Sequence, residues 1–425
     1  MGRRGHRGQR RARGGNVSAM SRSAASGHPV SAAPATREAL PWPEARRVAT
    51  GAGRRLAGAP KPLDEALGGV LDGPLDALTD LPAFDTSAMD GWAIAGTGPW
   101  RIVGEALAGQ HPSPALLAGQ AVRIATGAAL PPGATAVIRR ENGRVTDDRL
   151  HLSVPPSPVP GQDIRPRGQE CRAGERLLPS GTPVTPAVLG LAAAAGYDEL
   201  RVVPRPRVEL LVLGDELLGQ GLPRDGRVRD ALGPLLPPWL TRLGGAVGAV
   251  RRLGDDAESL YRAVDDSDAD LIVTTGGTAS GPVDFVHPVL RRVGARLLVD
   301  GVAVRPGHPM LVAQLPDGRP LVGLPGNPLA AVSGVLTLVA PVLRALGGRP
   351  EPAVRRAELA DAVPGHPMDT RLVPVALDGR TAEPLRYHGP AMLRGIAAAD
   401  AMAVIPPGGT AERGTEVVVL DLDWE

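Results

Sequence analysis

At 425 residues the chain is long enough for two to four domains, and with only 2% aromatic residues their cores must be built from Leu, Val and Ala. Basic side chains are almost all arginine, since Lys61 is the only lysine, and the formal charge of +2 conceals an excess of cations at the start of the chain. One cysteine, Cys171, excludes a disulfide framework and a thiolate metal cage, and no run approaches the roughly 20 apolar residues of a membrane span.

Met1 to Gly15 carries neither acid nor aromatic and passes into Ser/Ala/Pro-rich chain, so residues 1–35 are predicted to be a disordered basic tail. Its arginines are followed by no apolar run of signal-peptide length, which points to a cytoplasmic protein. Without stacking aromatics the tail is not expected to bind nucleic acid. From Thr36 to Pro60 a helix-like basic segment follows, and Leu63 to Val70 reads as another short helix. The stretch from Leu81 to Ile94, LPAFDTSAMDGWAI, packs carboxylates and hydroxyls between apolar residues. On its own, Asp85 and Ser87 would cap a turn there and Asp90-Gly91 would open a hairpin. Short apolar segments at Trp100 to Val103, Ala121 to Ile124, Ala136 to Arg139 and Leu150 to Val154 are separated by Gly and Pro, which predicts a small all-β unit inserted within residues 36–205. Thr185 as N-cap before Pro186 starts a short helix, and the prolines of Val202 to Arg207 mark a boundary.

Residues 206–348 alternate strand and helix, which predicts a mostly parallel α/β domain. Its strands are Val208 to Leu213, Val247 to Leu253, Leu271 to Val273, Arg296 to Val299, Met310 to Ala313 and Leu321 to Leu324. Helices are expected over Arg229 to Leu243, interrupted near Pro237-Pro238, over Glu258 to Val264, from Phe285 to Val293, and from Leu329 to Leu346 with a kink at Pro341. The organising stretch is Ala269 to Asp284, ADLIVTTGGTASGPVD, a buried strand ending in a glycine turn. Gly276 and Gly277 allow positive φ and close approach of a ligand, so that successive N–H groups can converge on an anion. Asn327 is placed as N-cap and Pro328 as first residue of the last helix. Ligands on parallel sheets sit at the carboxyl ends of the strands, so Gly214 to Glu216, Thr275 to Gly281 and Leu324 to Pro328 should share one rim. Carboxylates beside an anion cradle suit magnesium-dependent phosphate chemistry. Residues 350–425 return to short strands and predict a small β-barrel.

Several of these stretches together resemble the molybdopterin molybdotransferase family, which includes the C-terminal part of gephyrin. They are Phe84 to Ala93 (FDTSAMDGWA), Arg123 to Gly127 (RIATG), Thr274 to Gly277 (TTGG) and Leu324 to Pro328 (LPGNP). The resemblance covers roughly Thr36 to Glu425 and implies a homodimer whose subunits hold a linker unit with an inserted β unit, a molybdopterin-binding α/β domain and a C-terminal barrel. It implies a reaction in which adenylylated molybdopterin and molybdate give molybdenum cofactor and AMP, with Mg²⁺. Molybdopterin adenylyltransferase and the recipient molybdoenzymes are implied partners, and a carrier or scaffold that holds molybdopterin without inserting metal is the alternative.

Carried over residue by residue, the resemblance makes Asp90, Thr126 and Glu170 catalytic and Glu216 and Asp284 ligands of the divalent ion. Ser87, Gly276, Gly277, Thr278, Ser280, Arg305, His308, Pro325, Gly326, Asn327 and Pro328 would bind substrate. The cleft would lie between the α/β domain of one subunit and the N-terminal units of the other, bringing Asp90 near Asp284. The chain departs from the family pattern in four places. Pro282 follows Gly281 where an acid is usual, and Arg229-Asp230-Ala231 replaces a Ser-Asn pair. Arg305-Pro306-Gly307-His308-Pro309 replaces K-P-G-K-P, and Gln169-Glu170 replaces an acidic pair.

Overall fold

Leu271, Ile272 and Val273 are wholly buried because their strand lies in the middle of a sheet covered on both faces. The computed structural model describes residues 38–110, 114–153, 155–278 and 285–424, and Glu38–Glu425 groups as one unit. The expected tail lies outside the described residues. Strands β1 (Arg207–Leu213), β2 (Ala246–Leu253), β3 (Leu271–Thr275), β4 (Arg296–Asp300), β5 (Leu311–Gln314) and β6 (Pro320–Leu324) form the sheet in the order β2-β1-β3-β6-β5-β4. The first four in that order run parallel, and β5 and β4 are antiparallel additions.

Helices are α1 (Trp42–Ala52), α2 (Pro186–Ala194), α3 (Leu232–Arg242), α4 (Ala257–Asp265), α5 (Val286–Arg292) and α6 (Pro328–Gly347). Side chains alternate along β1, so Val208, Leu210 and Val212 pack with α1, α3 and α6, while Leu211 and Leu213 pack with α4 and α5. Helix α6 is apolar on every side. It has the length and composition of a membrane span, contrary to the expectation that no run comes near one, yet 89% of it is buried inside the protein. The sheet, α1 and the C-terminal strands surround it, so no face needs polar residues.

Proline is accommodated inside two helices. In α6 a π-helical turn at Val335–Val339 precedes Pro341, so the kink expected there is a local widening. The polar groups of that turn find partners on α1: Trp42 Nε1 donates to Thr337 Oγ1 at 3.0 Å, and Arg46 donates to the Leu336 carbonyl. Helix α3 begins at Leu232 rather than Arg229, with Ala231 at the N-cap position, and Asp230 Oδ1 just before it accepts from Gly233 N at 2.8 Å in the first turn. It continues through Pro237 and Pro238, held by burial of Leu236, Trp239 and Leu240. The helix expected over Leu63 to Val70 is absent. Turns occupy it, Gly68 has φ of 79°, and Val70–Leu71 is already a strand paired with Glu199–Val203.

The inserted β unit is a six-stranded sheet, in order Gly143–Thr146, Arg149–Leu152, Trp100–Ala106, Gln120–Ile124, Gly91–Ala95 and Ala136–Arg139. At the other end of the chain, Thr370–Asp378, Thr381–Pro384, Arg355–Leu359, Glu416–Asp421 and Ala401–Ile405 pair in sequence, and the last pairs with the first. Five strands thus close a barrel and leave no edge among themselves. Val302–Arg305 runs parallel to Thr370–Asp378, and Leu40–Pro41 pairs with Val302–Arg305, so the barrel is stitched to the α/β part by backbone bonds.

Trp239 of α3 donates from Nε1 to the Leu422 carbonyl at 2.7 Å, both buried, and its ring meets Trp424 at 4.9 Å between centroids. Trp239→Phe leaves that carbonyl without a donor and is expected to cost about 1–3 kcal/mol. Urea unfolding followed by fluorescence of the remaining tryptophans measures it, and an unchanged midpoint would show that the bond contributes nothing.

Candidate functional site

The carboxyl ends of β1, β2, β3 and β6 converge on a cavity of about 590 Å³. Gly214, Glu216, Thr275, Gly276, Gly277, Gly326, Asn327 and Pro328 line it, so the three strand ends expected to share a rim do share one. Gly276 and Gly277 have φ of 87° and 64°, the left-handed conformation expected of this turn. One of its N–H groups is used within the protein. Gly276 N donates to the Leu324 carbonyl at 2.9 Å, which ties the end of β3 to the end of β6. At the start of α6, Leu329 N and Ala330 N both donate to the Pro390 carbonyl, at 2.9 and 3.3 Å, and Ala331 N donates to Asn327 O. These donors are committed within the protein. Asn327 occupies the N-cap position without a side-chain capping bond, because the barrel-side loop supplies the acceptor instead. What the glycines contribute is a wall without side chains: a Cβ at Gly326 would lie 3.7 Å from Gly276 Cα, leaving both backbones open to a flat ligand.

Three carboxylates line the cavity, and two of them, Glu216 and Asp255, are not committed to an arginine. Glu216 folds back over Gly214, where any Cβ would overlap its carboxylate. Asp284 and Ser280 lie outside the described residues, so their expected roles are not met by any geometry here. Among the described residues no group of three or more His, Cys, Asp or Glu side chains is placed to cage a metal. Two carboxylates on an open wall match the donor set of Mg²⁺, which keeps its waters and takes further oxygens from substrate phosphates. Asp255 was missed in the sequence although the strand-end rule reaches it, two residues beyond the end of β2. The third, Asp230, is 3% exposed and bonded to Arg252 of β2 at 3.0 Å and to Gly233 N of α3, so its charge is already paired. Ala391 and Leu393, from the loop before the barrel strand Ala401–Ile405, close another side.

Other expected substrate contacts are turned elsewhere. Arg305 Nε donates to Asp369 Oδ2 at 2.7 Å, and the Asp369 side chain is only 10% exposed, so the counter-charge expected at Arg305 is already neutralised. His308 does not line the cavity: its Nδ1 is buried without a partner, and its ring lies near Gly301. Pro325 is buried beneath the turn, and Thr278 is 6% exposed with its methyl group against Gly323. Ser87 corrects the reading most plainly. It is fully buried, and its hydroxyl donates to Met89 O at 2.6 Å, so it holds the Ser-Ala-Met-Asp turn and faces no ligand.

Asp90 and Thr126 do meet, across the Gly91–Ala95 and Gln120–Ile124 strand pair. Asp90 Oδ1 accepts from Thr126 N at 2.7 Å and from Thr126 Oγ1 at 2.9 Å, leaving Oδ2 free of both bonds. The Thr126 backbone N–H, then its hydroxyl, with the Arg140 charge assisting, hold the Asp90 carboxyl below the usual carboxylate range. Gly91 permits this: a Cβ there would overlap the Ile138 carbonyl oxygen. Glu170 is exposed and, with Leu81, Pro82, Thr86, Arg165 and Gln169, lines a separate cavity of about 460 Å³. Asp85 anchors that side by accepting from Arg167 N at 2.7 Å. Among the described residues, nothing before Val212 lines the glycine-walled cavity, so one chain keeps the two halves of the expected site apart.

Comparison with known proteins adds three family matches in chain order. The MoeA N-terminal region (domain I and II) matches residues 40–196, the probable molybdopterin binding domain 209–345, and the MoeA C-terminal region (domain IV) 356–422. The chain is 35% identical over 385 residues to molybdopterin molybdenumtransferase 2 of Mycobacterium tuberculosis, covering 85% of this chain and 94% of that one. It is 30% identical over 374 residues to molybdopterin molybdenumtransferase of Staphylococcus aureus, covering 81% and 86%. A solved structure of a molybdopterin biosynthesis MoeA protein from Pyrococcus horikosii is similar with a TM-score of 0.73 and 27% identity, covering 91% of this chain and all of that one.

Thr126→Val removes the hydroxyl bond to Asp90 and should raise the titration midpoint of that carboxyl toward the ordinary carboxylate value. The sign follows from linkage: a carboxyl depressed in the folded state lends stability above its unfolded pKa, and that stability is lost as pH falls through the folded value. Carboxyl-carbon NMR titration of both proteins reads the shift directly, and identical midpoints would refute the assignment.

Proposed function

The chain belongs to the molybdopterin molybdenumtransferase (MoeA) family, a transferase family of molybdenum cofactor biosynthesis, and on that premise we propose how its own residues divide the reaction. The reaction is insertion of molybdate into adenylylated molybdopterin, giving molybdenum cofactor and AMP. The observation that carries the reading is the glycine-walled cavity at the strand ends, with carboxylates at its rim and room for a planar ring system. Gly276, Gly277 and Gly326 give the pterin backbone to lie against, and Asn327 and Pro328 bound the same wall.

Glu216 and Asp255 would hold Mg²⁺ together with substrate oxygens, and the ion would supply positive charge to the phosphoanhydride. Asp90 stays ionised, because Thr126 satisfies one of its oxygens twice. A carboxylate and molybdate repel in direct contact, so Asp90 acts on the oxyanion through a shared proton or cation, and Thr126 fixes the direction in which its free oxygen points. Glu170 takes the same kind of role from the neighbouring cavity. Chemistry of this kind needs orientation and electrostatics and no covalent intermediate with the protein.

Because Asp90 and Glu170 line no part of the glycine-walled cavity, we infer that a second copy of the chain presents them to it, which makes the homodimer the working unit. Division of the chain into residues 36–205, 206–348 and 350–425 fits this scheme, with the first segment serving the partner's cavity. We also place the enzyme in the cytoplasm.

Molybdate-dependent AMP release from adenylylated molybdopterin, with Mg²⁺ supplied, tests the activity. Asp90→Ala should lower its rate by about 100-fold or more, and pterin retention with no AMP release by the wild type would mark a carrier instead. Gly326→Trp, which fills the cavity without a strained φ, should be equally inactive. Mixed dimers of these two inactive chains should recover about a quarter of wild-type sites, since half the dimers are mixed and each has one intact site. No recovery on mixing would mean that each chain completes its own site.

A further inference from the structure

Glu216 and Asp255 would be balanced by the divalent ion they hold, but adenylylated molybdopterin also brings a phosphoanhydride that is negative on each phosphoryl group. That charge needs a cation of its own. The basic residues expected to meet it do not line the cavity: Arg305 is paired with Asp369, and the His308 ring lies near Gly301. Among the described residues, Arg229 is the only Arg, Lys or His in the lining.

Arg229 stands where the chain returns to the sheet after an excursion over residues 219–227. Leu217–Leu218 pairs with Val228–Arg229, Val228 N donates to Glu216 O at 2.8 Å, and Asp230 N donates to Leu218 O at 3.1 Å. This short ribbon carries Glu216 on one strand and Arg229 on the other, so a carboxylate and a cation are held on the same wall. The Arg229 guanidinium donates from Nη1 to Leu218 O at 3.0 Å. Its Nε and Nη2 have no partner among the described residues, and no carboxylate of those residues forms an ion pair with it.

An arginine bonded to a nearby carbonyl can serve simply to fix a turn. Here that carbonyl already accepts from Asp230 N, so Arg229 is not needed to satisfy it. Nor does the neighbouring Asp230 use the charge: its Oδ2 accepts from Arg252 Nε at 3.0 Å and its Oδ1 from Gly233 N at 2.8 Å. Asp230 is buried and Arg229 exposed. The arginines of β2 near the same rim are both taken, Arg251 by Glu209 and Arg252 by Asp230. Arg229 therefore keeps its full charge and one open edge beside the cavity.

We propose that Arg229 is the cation that binds the phosphoanhydride of the substrate, through its open Nε–Nη2 edge. Donors on that edge form the planar fork that matches paired phosphate oxygens, while the Nη1 bond to Leu218 O fixes the fork's direction. Arg229 is a substrate-binding residue in this scheme, and it supplies the counter-charge that the pairing of Arg305 withholds. The assignment rests on the reaction proposed above and adds to it the group that holds the bond to be broken.

Calorimetric titration of the full-length protein with adenylylated molybdopterin, in Mg²⁺ and with molybdate withheld so that no turnover occurs, tests it. Arg229→Gln should bind about tenfold or more weakly, and Arg229→Lys, which keeps the charge but loses the fork, should fall between it and the wild type. Arg224→Gln, an exposed cation of the same excursion that does not line the cavity, should bind as the wild type does. Because Arg229 is exposed, its Gln variant should melt at the wild-type temperature. Wild-type affinity should fall as ionic strength rises, and that of Arg229→Gln should fall less, which a purely structural role would not produce. In the AMP-release assay the Gln variant should raise KM and leave kcat nearly unchanged. Wild-type binding with equal affinity and equal salt dependence in Arg229→Gln overturns this assignment alone. Absence of binding by the wild type overturns the proposed reaction and the assignment together.

Discussion

Burial of α6 is the constraint on which the rest of the molecule depends. Its twenty residues, Pro328–Gly347, lie among the sheet, α1 and the C-terminal strands, and each fully buried Leu or Val contributes about 1.5–3 kcal/mol relative to exposure. One end of this helix sets the Pro-Gly-Asn-Pro turn against the Thr-Thr-Gly-Gly turn, with Leu324 O accepting from Gly276 N. Its other end carries Arg344 and leads to Arg349, whose Nη2 donates to Gly68 O at 3.0 Å. A single apolar rod therefore fixes the distance between two polar ends of the sheet. The π-helical turn in its middle lets Pro341 be buried without breaking that rod, and its freed carbonyl is taken by Arg46.

The cavity is walled by two glycine turns whose backbones are tied to each other. Gly276 N, Leu329 N, Ala330 N and Ala331 N are held by Leu324 O, Pro390 O and Asn327 O, which ties these two turns down. A preformed wall costs little ordering on binding, which suits a flat heterocycle. The negative charges at the rim would repel phosphates if left bare, which explains why carboxylates and a divalent cation belong together at such a place. Arg305 illustrates the same economy of charge: paired with Asp369, it joins the Val302–Arg305 strand to the start of a barrel strand.

On the N-terminal side, the Ser-Ala-Met-Asp-Gly turn is held from its buried Ser87 to its exposed Asp90. Ser87 binds Met89 O, Gly91 lies against Ile138 O, and Thr126 binds Asp90 twice. Several residues of one motif thus work to present a single carboxylate oxygen. The buried Ser87 hydroxyl would lose its partner if the turn opened, which favours the conformation seen.

By itself the sequence determined the alternation of strand and helix, the closed β unit at the end, the positive φ of Gly276 and Gly277, and the rim where three strand ends meet. All of these follow from local periodicity, from glycine's lack of a Cβ and from the geometry of parallel sheets, and none needs a distant partner. The same rule would have reached Asp255, had it been applied to β2. Tertiary structure alone decided that Ser87 faces inward, that Arg305 is paired with Asp369 sixty-four residues away, and that Pro390 occupies the start of α6. Whether a polar side chain is free to meet a ligand depends on which acceptor or donor the fold brings against it, and that partner comes from remote chain whose approach no local pattern encodes.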